Sequence, residues 1–217
     1  MTIEATVATQ VHGRYLCRPA GAGAVLVGFH GYGESADTQF ERLLAIPGAD
    51  AWTVISIQGL HRFYERRTDR VVASWMTRQD REFAISDNIA YVANVLEHAL
   101  PDRSAVRAIV FAGFSQGVAM AFRAAVTTPG ATCHVVAVGG DVPPELAPDD
   151  LRRLGSVLLC RGADDPWYGP DTFERDTARL QAAGTKLSAV AVAGGHEWSQ
   201  GVIDAAAALL KRMATQS

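Results

Sequence analysis

Ser115 lies in Gly113-Phe114-Ser115-Gln116-Gly117, a G-x-S-x-G pentapeptide. That spacing suits a serine on a sharp strand-to-helix turn with its hydroxyl exposed. The flanks supply the context: Ala105 to Ala112 is an almost unbroken apolar run, and Val118 to Val126 is apolar and helix-compatible. A serine hydroxyl is a weak nucleophile until a base takes its proton, and that base is normally a histidine held by a carboxylate. In this setting the chain order is serine, acid, histidine. Only His134 and His196 follow Ser115. His134 sits inside an apolar run and reads as structural. His196, in Gly194-Gly195-His196-Glu197-Trp198, follows the last strand-like run on two glycines that permit a sharp turn. His196 is the expected base, with a cap on the last helix as its plainer role.

The acid must also follow a strand. Asp164 and Asp165 both come after the run ending at Cys160. Asp165 is favoured, because Pro166 holds the preceding residue extended and can present its carboxylate to His196. Asp164 then serves the turn, and Asp141, one strand earlier, is a more distant candidate. Acyl transfer further needs donors aimed at a developing oxyanion. The backbone N–H of Gln116 and that of Tyr32, in His30-Gly31-Tyr32-Gly33, are the expected pair. Side chains matter little in that role, so Gln116→Ala should be mild.

These residues need strands and helices in alternation, and the chain supplies them. Strands are expected at Ala24–Phe29, Trp52–Ile57, Val106–Ala112, Cys133–Val138, Val157–Cys160 and Leu187–Val192. Helices are expected at Gln39–Ala45, Glu82–Leu100, after Ser115, at Asp171–Ala183 and at Ser199–Met213. Thr6 to Cys17 suggests a short hairpin through His12-Gly13. The central runs are apolar on both faces, as in a mostly parallel sheet covered by helices on both sides. With 217 residues and no repeat or linker, residues 1–217 read as one α/β domain. His61 to Arg81 breaks the alternation. It reads as a loop of about twenty residues, a length that is often functional. It carries Arg62, Arg66, Arg67, Arg70, Arg78 and Arg81 among Phe63, Tyr64 and Trp75.

Tyr32, Phe63, Trp75 and Trp167 form an aromatic set that would line a pocket for an apolar acyl chain or aromatic ester, unless the tryptophans merely pack their own loops. Arg62, Arg66 and Arg67 are candidates for holding a substrate carboxylate or phosphate, as arginine does bidentately, against a plainer role as solvated or paired with Glu65 and Asp69.

Other chemistries find little support. Gly31 to Ala36 matches a G-x-G-x-x-A dinucleotide fingerprint, but the following strand ends Ser56-Ile57-Gln58-Gly59 without the acid it requires. No phosphate-binding G-x-x-x-x-G-K-S/T occurs, and the histidines show no metal-ligand spacing. Net charge is -3, which gives no global field for nucleic acid. Cys17, Cys133 and Cys160 are far apart and suit a reducing compartment. No basic-then-apolar leader opens the sequence, and no apolar run reaches the roughly 18 residues of a membrane span, so a cytoplasmic protein is expected.

On His30-Gly31-Tyr32-Gly33, Gly113-Phe114-Ser115-Gln116-Gly117, Gly162-Ala163-Asp164-Asp165-Pro166 and Gly195-His196-Glu197, the chain resembles the α/β-hydrolase superfamily. Within it, the chain resembles the phospholipase/carboxylesterase family of small carboxylesterases and acyl-protein thioesterases. It departs from the family pattern at Arg161, where histidine is common, and in the basic stretch 61–81. The resemblance implies an α/β-hydrolase fold without a large lid domain and a Ser115–His196–Asp165 triad with no metal or cofactor. The implied activity is hydrolysis of carboxylic esters, small to medium acyl esters and lysophospholipids among them. A thioesterase is the alternative, and a non-enzymatic binding protein on the same scaffold a further one. Its expected partner is a small-molecule ester, without nucleic acid or stable membrane insertion; a homodimer is left open.

Overall fold

Runs that are apolar at every position can be buried on both faces only inside a sheet flanked by helices. The computed structural model, which describes residues 1–20 and 23–214, folds that way. In chain order its elements are β1 (Tyr15–Arg18), β2 (Ala24–Phe29), α1 (Ala36–Leu44), β3 (Thr53–Ile57), β4 (His61–Glu65), β5 (Arg70–Ser74), α2 (Arg81–Ala99), β6 (Ala108–Phe114), α3 (Gln116–Thr127), β7 (Thr132–Val138), α4 (Pro148–Arg152), β8 (Val157–Gly162), α5 (Pro170–Ala182), β9 (Leu187–Val192) and α6 (Gln200–Ala214). Seven strands form one sheet in the order β1-β3-β2-β6-β7-β8-β9. Only β1 runs antiparallel to its neighbour. Successive residues of each strand feed opposite layers. Val25, Val27 and Phe29 pack under α2 and α3, and Leu26 packs with Leu43 of α1 and Val202, Ala206 and Leu209 of α6. This is the α/β-hydrolase fold, a mostly parallel sheet with helices on both faces.

The strand order sets the site. The chain leaves β2 for β3 on one side, then crosses back to β6 on the other. The loops after β2 and β6 therefore open a crevice at the carboxyl ends of the strands, where ligands collect in such sheets.

Three expectations change. No hairpin forms over Thr6–Cys17. Residues 1–14 have no regular structure, and Tyr15–Arg18 instead adds to β3 as an edge strand, with Tyr15 opposite Ile57. The ladder edge of β3 offers that segment a buried partner, whereas residues 6–11 would pair in solvent. The stretch 61–81 is not a loop but a two-stranded hairpin, β4 with β5, whose turn ends on Asp69 at φ 54°. Charge hides its strand pattern: β4 is exposed along nearly its whole length, and only Val72, Ala73 and Ser74 of β5 face inward. The short α4, opened by Pro148, was not anticipated. Among the described residues, no helix is long and apolar enough to cross a membrane.

Candidate active site

The turn at Ser115 is built by glycines. Ser115 has φ 52° and ψ -120°, a conformation that costs a non-glycine residue about 1–3 kcal/mol and persists only when its surroundings enforce it. Here the Ser115 N–H donates to Val138 O at 2.8 Å, and Val118 N–H donates to Ser115 O at 3.0 Å. A Cβ on Gly113 would lie 2.4 Å from Gly117 O, and one on Gly117 would lie 2.2 Å from Phe29 O. Both flanking positions of the pentapeptide are thus fixed by backbone crowding.

The loop after β2 is held so that one N–H remains unused. Gly31 N–H donates to Glu34 Oε2 at 2.8 Å, Gly33 N–H to Ala73 O, and Glu34 N–H to Gly31 O. Between them, the N–H of Tyr32 meets no acceptor among the described residues, and neither does that of Gln116 at the start of α3. A Cβ on Gly31 would stand 3.3 Å from Ser115 Cβ, so this loop lies directly against the serine. Arg42 reinforces it, donating to both oxygens of Glu34 at 2.7 Å while its guanidinium lies 4.4 Å from the centre of the Phe114 ring.

His30 braces the same loop from below. Gly59 N–H donates to its Nε2 at 2.9 Å, so Nε2 is unprotonated and Nδ1 carries the hydrogen donated to Gly31 O at 2.7 Å. Burial holds its pKa below the ordinary value, which suits this neutral tautomer. Trp75 Nε1–H donates to His30 O at 2.8 Å.

His196 and Asp165 meet across the loops after β9 and β8. His196 Nδ1 is 2.8 Å from Asp165 Oδ2. Asp165 Oδ1 accepts from the N–H groups of Trp167 and Tyr168, both at 2.9 Å. Burial pushes the Asp165 carboxyl up. The hydrogen bonds from Tyr168, His196 and Trp167 outweigh it and hold the carboxyl below its ordinary value. An ionised carboxylate only accepts, so Nδ1 is the donor and Nε2 is left free as a base. Glycines again permit the approach: Gly194 has φ 110°, and a Cβ on Gly162 would fall 2.0 Å from Gly195 O. The His196 ring packs on Phe114, with the edge of Trp167 at 4.7 Å. Asp164 is exposed and only its backbone N–H is used, on Gly194 O. Asp141 is exposed too and does not reach His196.

Ser115 and His196 share one cleft of about 350 Å³. No hydrogen bond joins them here; such contacts commonly tighten only around substrate. Met76, Pro143, Pro144 and Trp167 line the cleft alongside the charged Arg81, Arg123 and Asp141. The expected aromatic lining is therefore mostly displaced. Trp75 is fully buried and serves the core and His30. Tyr32 and Phe63 pack against each other outside the cleft lining, ring centres 5.7 Å apart and tilted by 36°, while Trp167, 78% exposed, stays at its mouth. Arg62 donates to His12 O, and Arg66 and Arg67 stand in the exposed hairpin turn; none of the three lines the cleft. Nor do they pair with Glu65 or Asp69 among the described residues; Glu65 instead accepts from Thr68.

Sequence reasoning missed two features. The Gln116 side chain accepts from Trp75 N–H at 2.8 Å and from Ser74 Oγ, and donates to Met76 O at 2.9 Å. It thereby stitches the end of β5 to α3, the helix that follows Ser115, which corrects the expectation of an idle side chain. Arg123 also went unremarked, although a lone charge inside Val118 to Val126 was the signal for it.

A family model described as Phospholipase/Carboxylesterase matches residues 17–213. No curated protein matches the chain. Among solved structures, acyl-protein thioesterase 2 of Zea mays superposes with a TM-score of 0.72 at 20% identity, covering 93% of this chain and 99% of that one. A carboxylesterase from Mesorhizobium loti gives 0.70 at 19% identity, covering 94% and 95%. A Bacillus cereus carboxylesterase gives 0.66 at 16% identity, covering 92% and 94%. At such identities these likenesses establish the fold.

Proposed function

Because the chain belongs to the phospholipase/carboxylesterase family, a family of serine hydrolases, we propose that it cleaves small carboxylic esters through an acyl-enzyme on Ser115. The observation that carries this reading is the pair of unused N–H groups, Tyr32 and Gln116, flanking a serine held in a strained turn. Donors fixed in advance need no reorganisation when charge develops, and removing one typically costs 10²–10³ in rate, about 2.7–4 kcal/mol.

His196 Nε2 takes the proton of Ser115 Oγ as that oxygen attacks the ester carbonyl. The carbonyl oxygen, now negative, accepts from Tyr32 and Gln116. Collapse of the intermediate breaks the carbon–oxygen bond, and His196 hands its proton to the leaving alcohol. Water then attacks the acyl-enzyme by the same route and restores the serine. Asp165 keeps the imidazole in the required tautomer and stabilises its charged form. The same steps would cleave a thioester. The modest volume of the cleft favours short acyl groups over long ones.

The test is hydrolysis of 4-nitrophenyl esters from two to twelve carbons by the protein and its Ser115→Ala variant. Turnover confined to the parent and highest with short acyl groups is expected. Equal turnover by the variant would remove Ser115 from the mechanism, and no turnover by either would favour the binding-protein alternative.

A further inference from the structure

Arg123 is the one charged residue of α3, and it is only 2% exposed. It follows Gln116 and Ala119 at helical spacing, and all three line the cleft. Its Nε and Nη2 both donate to one oxygen of Glu145, at 2.8 and 2.6 Å. Nη1 has only Met76 Sδ, at 3.9 Å. A thioether is a weak acceptor, so a buried guanidinium keeps donor capacity beside the reacting serine. An arginine serving only to tie α3 to the loop after β7 would satisfy itself better through both oxygens of its partner.

Arg81, at the start of α2, lines the same cleft and is 40% exposed on its side chain. Its contacts are loose: 3.8 Å to Glu145 and 3.5 Å to Glu82. It can turn toward a ligand at little cost. Asp141 is the one acid of the lining. Glu145 balances the two arginines from behind, so what favours an anion is the open Nη1 of Arg123 and the loosely held Arg81.

We infer that Arg123 and Arg81 form a carboxylate subsite, so that the preferred ester carries an anionic group a short spacer away from the bond that is cut. Along α3 the rise from Ser115 to Arg123 is about 12 Å, and the arginine side chain shortens that gap, leaving room for a few methylenes. The class of substrate is a short ester bearing a carboxylate, in place of a neutral alkyl ester. This inference rests on the esterase reading above and relocates anion recognition from the exposed arginines of the hairpin to two arginines of the cleft.

The experiment compares two matched pairs. In the first, the carboxylate is on the acyl side: 4-nitrophenyl glutarate monoester against 4-nitrophenyl pentanoate. In the second, it is on the alcohol side: 4-acetoxybutanoate against butyl acetate, followed by acid release. We expect kcat/KM to favour the anionic member of one pair by tenfold or more. That ratio should fall at least tenfold in Arg81→Ala, a surface change that leaves the core intact, and in Arg123→Met, checked for folding by its thermal melt. Turnover of the neutral esters with no anionic preference in either pair, or a preference kept in Arg81→Ala and in folded Arg123→Met, overturns the subsite and leaves the esterase reading standing. Hydrolysis of none of the four esters overturns both.

Discussion

Gln116 acts from both ends of one residue. Its N–H faces the cleft unpaired, and its side-chain amide accepts from Trp75 N–H and donates to Met76 O. Gln116→Ala would leave the backbone N–H of buried Trp75 without its acceptor, at a cost of about 1–3 kcal/mol. For a chain of this size a melting temperature lower by about 4–8 °C per 2 kcal/mol is the expected reading, and an unchanged melt would show that water replaces the contact. Asp165 makes a second prediction. Asp165→Asn keeps the shape of the side chain, but its amide group can face Nδ1 as a donor and favour the wrong tautomer. A fall in kcat of about 10⁴ is expected with little change in KM, and a loss below tenfold would argue against the role given to Asp165.

At the scale of elements, the glycines of the β6–α3 turn differ in kind from those of the loops. A Cβ on Gly117 would lie 2.2 Å from Phe29 O, which is strand backbone and cannot move aside. Gly33 has φ 70° but nothing within 4 Å of its missing Cβ. Gly33→Ala should therefore cost only the left-handed backbone penalty, about 1–2 kcal/mol. Gly117→Ala should cost about 4 kcal/mol or more, in the range reserved for a disrupted core. Denaturant midpoints of the two variants give the comparison, and equal losses would mean that β2 yields to the added methyl. The hairpin of β4 and β5 is likewise more than a solvent-exposed insert. Its inner residue Ala73 takes the Gly33 N–H and gives its own N–H to Glu34 O, so it anchors the loop that leaves Tyr32 N–H free.

Across the whole molecule, stability should depend on pH through groups buried in one charge state. Burial holds His30 and His134 below the ordinary value of 6.5. The unfolded chain thus binds protons that the folded chain refuses, so these residues stabilise the fold fully above about pH 6.5 and lose that contribution as pH falls toward their folded values. Burial raises Glu34 and Glu145, but the pair with Arg42 outweighs it for Glu34, as do Glu145's own backbone N–H and Arg123 for Glu145, and both end below 4.5; their contribution is lost at lower pH still, as their carboxylates protonate. Urea midpoints should be flat from pH 8 to 7, decline as pH falls below about 6.5, and drop again below about 4.5. A midpoint constant from pH 8 to 5 would contradict the neutral, doubly hydrogen-bonded His30.

Local constraint is what made parts of this protein legible from sequence. The apolar runs could be buried only in a covered parallel sheet. Gly113, crowded by Gly117, and Gly194, at φ 110° beside Glu197, answer constraints within a few residues of themselves, whereas Gly117 answers Phe29 O across the sheet. Partnerships across the sheet are of another kind. Asp165 stands out from Asp164 in sequence only through Pro166, and the turn after β8 points its carboxylate at His196 and leaves Asp164 in solvent. Charge and aromatic content singled out Arg62, Arg66 and Trp75, yet the hairpin carries the two arginines away from the cleft and Trp75 into the core, while a lone arginine within an apolar helix reaches the cleft. Apolar patterning settled β2, β3 and β6 to β9 and the turn at Ser115, while charge masked β4 and β5. The folded chain settled which arginines line the cleft and which aromatic residues leave it, because those placements depend on distances between segments far apart in sequence.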